Sequence, residues 1–157
     1  QLAAGTVLPT SGCIFLSVAD RDKGRIAPIA RRLAEMGYRL IATRGTAQVL
    51  RDAGIQVELI KKVQEGHPNL IDLMRSGEVH LIMITPSGKG AHTDEGRIRA
   101  AAVRYSIPYL TTSRAMEAAV QAMNILRQET IEVEALQDRF PDAVRKRPEK
   151  SAPTASS

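Results

Sequence analysis

Two short stretches of the chain hold polar residues of the kind that grip an anion. Thr43-Arg44-Gly45-Thr46 stands directly before the helical run Ala47-Gln48-Val49-Leu50. The free N–H groups of that helix's first turn lie between two hydroxyls, and Gly45 permits a tight turn. A phosphate cradle and simple capping of the helix by Thr46 fit this local pattern equally well. The second stretch, Ser17-Val18-Ala19-Asp20-Arg21-Asp22-Lys23, leads into another helix, with Asp20 or Asp22 a natural cap and Lys23 in the first turn. A lysine there opposes the helix dipole and is mildly unfavourable without an anion nearby.

Two further stretches have a similar character. Lys61-Lys62 precedes Gln64-Glu65-Gly66-His67-Pro68. Pro68 suits a first helical position, and of the two adjacent lysines one is expected to face a crevice and the other water. Thr85-Pro86-Ser87-Gly88-Lys89-Gly90 is a Gly-rich loop whose N–H groups and lysine could close over a ligand, or an ordinary connecting loop.

Groups suited to catalysis are sparser. There is no HExxH, GxSxG or paired cysteine, and no GxGxxG follows a strand. His67, His80 and His92 do not stand at metal-ligand spacing, so no metal is expected, and His80, just before a strand, reads as an edge residue. His92 and Asp94 form a conceivable acid–base pair, although capping by Thr93 or Asp94 explains them more simply. The single Cys13 lies in the apolar run Cys13-Ile14-Phe15-Leu16 and reads as a small buried hydrophobe. With no partner thiol in the chain, a reducing compartment is the easier reading.

All four polar stretches follow short apolar runs, and this points to the elements that position them. Ile14 to Val18, Tyr38 to Ala42, Val57 to Ile60, Leu81 to Ile84 and a short run around Tyr109 read as buried strands. They alternate with amphipathic helices whose apolar stripes are Ile26, Ile29, Ala30, Leu33 and Met36; Ile98, Ala101, Ala102 and Tyr105; and Met116, Ala119, Val120, Met123 and Leu126. Ile131 to Phe140 fits either a strand running into a helix or one helix. Alternating βα units specify an α/β fold of three α/β/α layers around a five-stranded parallel sheet, Rossmann- or flavodoxin-like. In such sheets ligands bind beyond the carboxyl ends of the strands, where strand order reverses.

A length of 157 residues suits one domain with tails. Residues 1–11 read as a connector from a preceding domain, 12–140 as the domain, and 141–157 as a flexible tail. A start at Gln1 in place of Met fits excision from a longer chain. The formal charge of +5 invites a nucleic-acid reading, but part of the excess sits in Arg145-Lys146-Arg147 and Lys150. With no Trp, three Tyr and two Phe, few rings are available to stack on bases, so no nucleic-acid partner is expected. No apolar run reaches the roughly 20 residues that span a bilayer, and no secretory signal opens the chain. The expectation is a cytoplasmic protein without a membrane partner.

The ordered set Ser17 through Lys23, Ala42-Thr43-Arg44-Gly45-Thr46, Ala53-Gly54-Ile55, Lys62-Val63, Glu65-Gly66-His67-Pro68 and Thr85-Pro86-Ser87-Gly88 resembles the methylglyoxal-synthase-like domain. More narrowly, it resembles the carboxyl-terminal allosteric domain of the carbamoyl phosphate synthetase large chain, over residues 12–138. The resemblance implies a regulatory domain that catalyses nothing alone and needs no cofactor. The parent enzyme would be a glutamine-hydrolysing ligase of arginine and pyrimidine biosynthesis, using ATP with Mg or Mn, and containing synthetase domains and a small glutaminase subunit. Lys23, Thr43, Gly45, Thr46 and Lys62 match positions that hold the phosphate of an effector nucleotide such as UMP or IMP. Ser17, Thr85, Ser87 and Gly88 line the same site, and Tyr109 and Thr111 match positions on the side where the activator ornithine binds. Two places depart from the family pattern. Ile84 and Pro86 stand where an Asn and a Thr often read ribose and base, and Gly66-His67 stands where methylglyoxal synthase has a proton-abstracting aspartate. The alternative reading is a stand-alone lyase acting on dihydroxyacetone phosphate.

Overall fold

The computed structural model of the chain describes residues 8–61, 63, 66–86 and 94–139. Five strands, β1 (Cys13–Ser17), β2 (Arg39–Ala42), β3 (Glu58–Leu59), β4 (Leu81–Ile84) and β5 (Tyr109–Leu110), form one parallel sheet in the order β3-β2-β1-β4-β5. Among the described residues five α-helices connect or follow them: α1 (Lys23–Glu35), α2 (Arg44–Asp52), α3 (Leu70–Arg75), α4 (Asp94–Arg104) and α5 (Ser113–Arg139). The architecture is the expected α/β one.

Period-2 alternation explains the layering, because successive strand residues point to opposite faces. Ile14 and Leu16 of β1 pack with Leu40, Leu81 and Met83 against α1, α2 and the buried start of α5. Cys13 and Phe15 face the other way, with Ile41, Ile82 and Ile84, against α3 and α4. Both faces of the central strands are therefore apolar, as a parallel sheet covered on two sides requires. Phe15 has no exposed surface, and full burial of such a side chain contributes about 1.5–3 kcal/mol. Cys13 is buried as expected, and burial pushes its thiol up to about 11, so it stays neutral near pH 7.

Several details differ from expectation. His80 is not at a sheet edge. It precedes β4, next to β1 at the centre of the sheet, and its Nδ1 accepts the Cys13 N–H at 3.0 Å. The imidazole fills the space that a side chain at Gly12 would take, and Gly12 adopts a φ of +120°, so this junction requires glycine on both counts. Pro68 lies outside α3, whose cap is Asn69: its side-chain oxygen accepts the N–H groups of Ile71 and Asp72, while Asp72 reaches back to the Asn69 N–H. That reciprocal capping box satisfies the orphan donors better than a proline start. Tyr105 is only partly buried.

The chain divides into two compact units after Met123. In the second unit the described residues continue α5 as helix to Arg139, so the stretch from Ile131 is helical and not a strand. Phe140 lies outside the described residues. Leu126 does not extend the core stripe, which ends at Met123; it is 43% exposed, and Ile125, Ile131, Val133 and Leu136 are similarly open. Of the domain boundaries, residues 1–7 and 141–157 fall outside the described residues.

Candidate anion-binding site

Successive connections run from β1 outward to β2 and β3, and from β4 outward to β5 on the opposite side. Strand order therefore reverses between β1 and β4, and the crevice beyond their carboxyl ends is where such sheets admit ligands. Ser17, the last residue of β1, shares a hydrogen bond of 3.1 Å with Thr43, the N-cap residue of α2. Lys23 opens α1 and turns across to α2. Its Nζ lies 2.9 Å from where a Cβ on Gly45 would stand. One ammonium, two hydroxyls and the first turn of α2 thus converge on one spot. A backbone N–H cluster with a nearby cation and adjustable hydroxyl donors suits a phosphate or carboxylate group.

Lys23 also has a protein partner. Its Nζ is 2.6 Å from Asp20 Oδ1, and the Asp20 side chain is 94% exposed. That pair accounts for a lysine in the first turn of α1 without any bound anion. Being open to water on the aspartate side, it contributes no more than the 0–1 kcal/mol typical of surface pairs. Neither Asp20 nor Asp22 caps α1: Asp22 holds the N-cap position without a side-chain hydrogen bond.

Thr46 and Thr85 do something the sequence did not reveal. Thr46 sits inside α2 and does not cap it; its Oγ1 accepts the Val18 N–H at 3.1 Å, and the residue is 2% exposed. Thr85 Oγ1 accepts the Ala19 N–H at 2.8 Å and is similarly buried. The two threonines hold the chain leaving β1 from opposite sides, and so fix where Lys23 begins its helix. Arg21, passed over in the sequence, adds a third tie: its Nη2 donates to the Pro86 carbonyl at 2.9 Å. An arginine between two aspartates reads as a solvated turn, and only the topology brings it to the exit of β4. Ile84 is buried in the α3/α4 face of the core and cannot read a ligand.

Other candidates lie apart or outside the described residues. Lys61 is exposed, with Nζ 3.5 Å from the His67 carbonyl. Lys62, Ser87, Gly88, Lys89, Gly90, His92 and Thr93 are outside the described residues. Tyr109 opens β5 with its ring 5.8 Å from the Arg99 guanidinium carbon, and Thr111 follows that strand, half-buried. Asp72 Oδ2 is 2.7 Å from His67 Nδ1. That contact, followed by the Asn69 N–H, holds the Asp72 carboxyl below the usual carboxylate range. Among the described residues no group of three or more His, Cys, Asp or Glu could hold a metal, and no helix is long and apolar enough to cross a membrane.

Fold and site define an α/β domain of the open parallel-sheet class, with a polar crevice at the strand-order reversal. The chain belongs to the MGS-like domain family, whose profile matches residues 25–111. It is similar to the carbamoyl phosphate synthase large chain of Rhodopirellula baltica, with 54% identity over 140 residues, covering 89% of this chain and 13% of that protein. It is also similar to the C-terminal section of the same large chain in Methanopyrus kandleri, 50% identical over 139 residues, covering 88% of this chain and 26% of that protein. The chain thus spans 13% and 26% of the lengths of these two relatives. Methylglyoxal synthase from Elizabethkingia anophelis shares the fold, with a TM-score of 0.58 and 20% identity over 72% of this chain and 79% of that one.

Proposed function

We propose that this chain is the allosteric effector-binding domain of a carbamoyl phosphate synthase large chain, and that its strand-end crevice receives the phosphate of a nucleotide such as UMP or IMP. The observation that supports this most is the convergence of Ser17, Lys23, Thr43 and Gly45 on the first turn of α2. In this reading Lys62 supplies a second ammonium, and Ser87 and Gly88 belong to the effector site. Tyr109 and Thr111 face the rest of the large chain, where ornithine would activate. The domain performs no chemistry itself, while the synthetase domains, with the small glutaminase subunit, would use ATP with Mg or Mn in the cytoplasm.

An effector alters a distant active site only if it binds two conformations unequally, and such coupling is typically about 1–3 kcal/mol. The ties from Thr46, Thr85 and Arg21 make the β1–α1 connection a stiff link, so a displacement of Lys23 is passed to α1 and not absorbed locally. Against the lyase reading, Gly66-His67 carries no carboxylate at the place of the proton-abstracting aspartate. The carboxylate near the relevant turn, Asp72, is engaged in the capping box and held at a low pKa, which weakens it as a proton acceptor. No phosphate release from dihydroxyacetone phosphate is expected.

Calorimetric titration of the 157-residue chain with UMP, IMP and ornithine tests the proposal. Binding of at least one nucleotide is expected, weakened roughly tenfold or more by Lys23→Ala or Lys62→Ala, the usual size for a lost hydrogen bond to a charged group. Absence of binding by both nucleotides, or affinity indifferent to both lysines, would remove the basis of the assignment.

A further inference from the structure

A second cavity, of mixed polar and apolar lining, lies on the opposite side of the sheet from α1 and α2. It opens between α3 and α4, has a volume of about 530 Å³, and shares no lining residue with the strand-end crevice. Volumes of roughly 300–1,000 Å³ are typical of small-molecule sites. Its α4 wall is Arg97, Ala100, Ala101 and Arg104, spaced i, i+3, i+4 and i+7 and therefore on one face of the helix. Two guanidinium groups thus flank a saddle made of two methyl groups, and the small alanines leave the space between them empty. Across the gap, α3 and the turn before it contribute Arg75 and His67.

Charge in this cavity is unbalanced. Among the described residues that line it the only carboxylate is Asp72, and Asp72 is already engaged: Oδ2 takes the Asn69 N–H at 2.8 Å and meets His67 Nδ1 at 2.7 Å, while Oδ1 lies 3.6 Å from Arg75. Among the described residues Arg97 makes no ion pair or hydrogen bond, and Arg104 has its guanidinium carbon 5.7 Å from the ring centre of its neighbour Tyr105. Among the described lining residues three guanidiniums therefore face one committed carboxylate, and of the three only Arg75 has further polar partners, Asp72 and the Tyr105 hydroxyl. Arginine forks recognise phosphate and carboxylate groups bidentately, and two of them on one helix face, a third opposite, match a molecule carrying separated negative charges.

We infer that the α3–α4 cavity is a second ligand site, taking a small polyanion with at least two phosphate or carboxylate groups, gripped between Arg97 and Arg104 on one side and Arg75 on the other. The site is independent of the strand-end reading and stands or falls separately from it.

The test is an amide-resolved NMR titration of the 157-residue chain with pyrophosphate and, separately, citrate, against NaCl at matched ionic strength. Saturable shifts are expected on α3 and α4 for at least one probe, unchanged in Lys23→Ala, and weakened at least tenfold in the Arg97→Gln, Arg104→Gln double variant. Both arginines are exposed, and a thermal melt checks that the variant is folded. A third variant, Arg75→Gln, is expected to weaken binding from the other wall. Shifts reproduced by NaCl, shifts confined to Gly45 and Thr46, or equal affinity in the double variant would each overturn the site. Tighter binding of hexaglutamate than of either small probe would overturn the small-molecule class in favour of an acidic polypeptide.

Discussion

Gly45→Ala separates the stability of the domain from its capacity to hold an anion. Gly45 lies in the first turn of α2, and its backbone needs no left-handed conformation, so alanine is tolerated by the chain itself. Helix propensity favours alanine by about 0.5–1 kcal/mol in a helix interior and by less in a first turn, so the melting temperature should hold or rise slightly. The added methyl, however, would sit 2.9 Å from Lys23 Nζ, where ordinary contact begins near 3.4 Å. The ammonium must retreat by about 0.5 Å, and the lysine is long enough to do so without disturbing the fold. A retreat of that size breaks or badly lengthens one charge-assisted hydrogen bond to a phosphate seated on α2, a loss of about 1.5–3 kcal/mol, which corresponds to tenfold weaker binding or more. The assay pairs a thermal melt with calorimetric titration of UMP and IMP on the same preparation. Undiminished nucleotide affinity in a variant as stable as the parent would refute the placement of the ligand over Gly45.

Two other perturbations follow from the same geometry. Thr46→Val keeps the shape but strands the buried Val18 N–H, which should lower stability by about 1–3 kcal/mol in urea denaturation; an unchanged midpoint would mean water or another acceptor replaces the hydroxyl. Asp72, held below its ordinary value of 3.8 chiefly by His67 and then by the Asn69 N–H, stabilises the fold above that value and loses the contribution as pH falls through the lower folded pKa. Stability measured down an acid series should therefore fall less steeply below pH 3.8 in Asp72→Asn than in the parent, and parallel curves would contradict the assignment.

The fold was legible because its signals are local. Apolar runs of four or five residues alternating with 3.6-period stripes name the strands and helices of a parallel sheet without reference to anything distant. The convergence of Ser17, Lys23 and Thr43 was legible for a related reason: an open sheet puts all strand exits at one end, so polar residues just after apolar runs must meet there. What stayed hidden depends on contacts distant in sequence. For Thr46 the local pattern fits a phosphate cradle and a helix cap equally well, and its observed partner, Val18, lies 28 positions earlier. Arg21 and Pro86 are 65 positions apart, and no local pattern links them. The capping box at Asn69 was readable from Asn69 and Asp72, but the preceding proline offered a competing helix start.

These hidden contacts also decide how the crevice would behave on binding. Lys23 rests against Asp20 at 2.6 Å, so an incoming phosphate gains a charge-assisted bond only by competing with a pair it partly replaces. The pair is open to water on the aspartate side and therefore weak, whereas the N–H cluster and the two hydroxyls have no such rival charge. In the proposed reading, net affinity would rest on the α2 helix start and its Ser17–Thr43 brace as well as on the lysine, and the lysine would be the part that moves. Because Thr46, Thr85 and Arg21 clamp the segment between Ser17 and Lys23 on three sides, such a movement would be carried along α1 instead of being lost in a slack loop. The proposed effector role would need both properties: a rigid seat that binds, and a tethered charge whose position changes when the seat is filled.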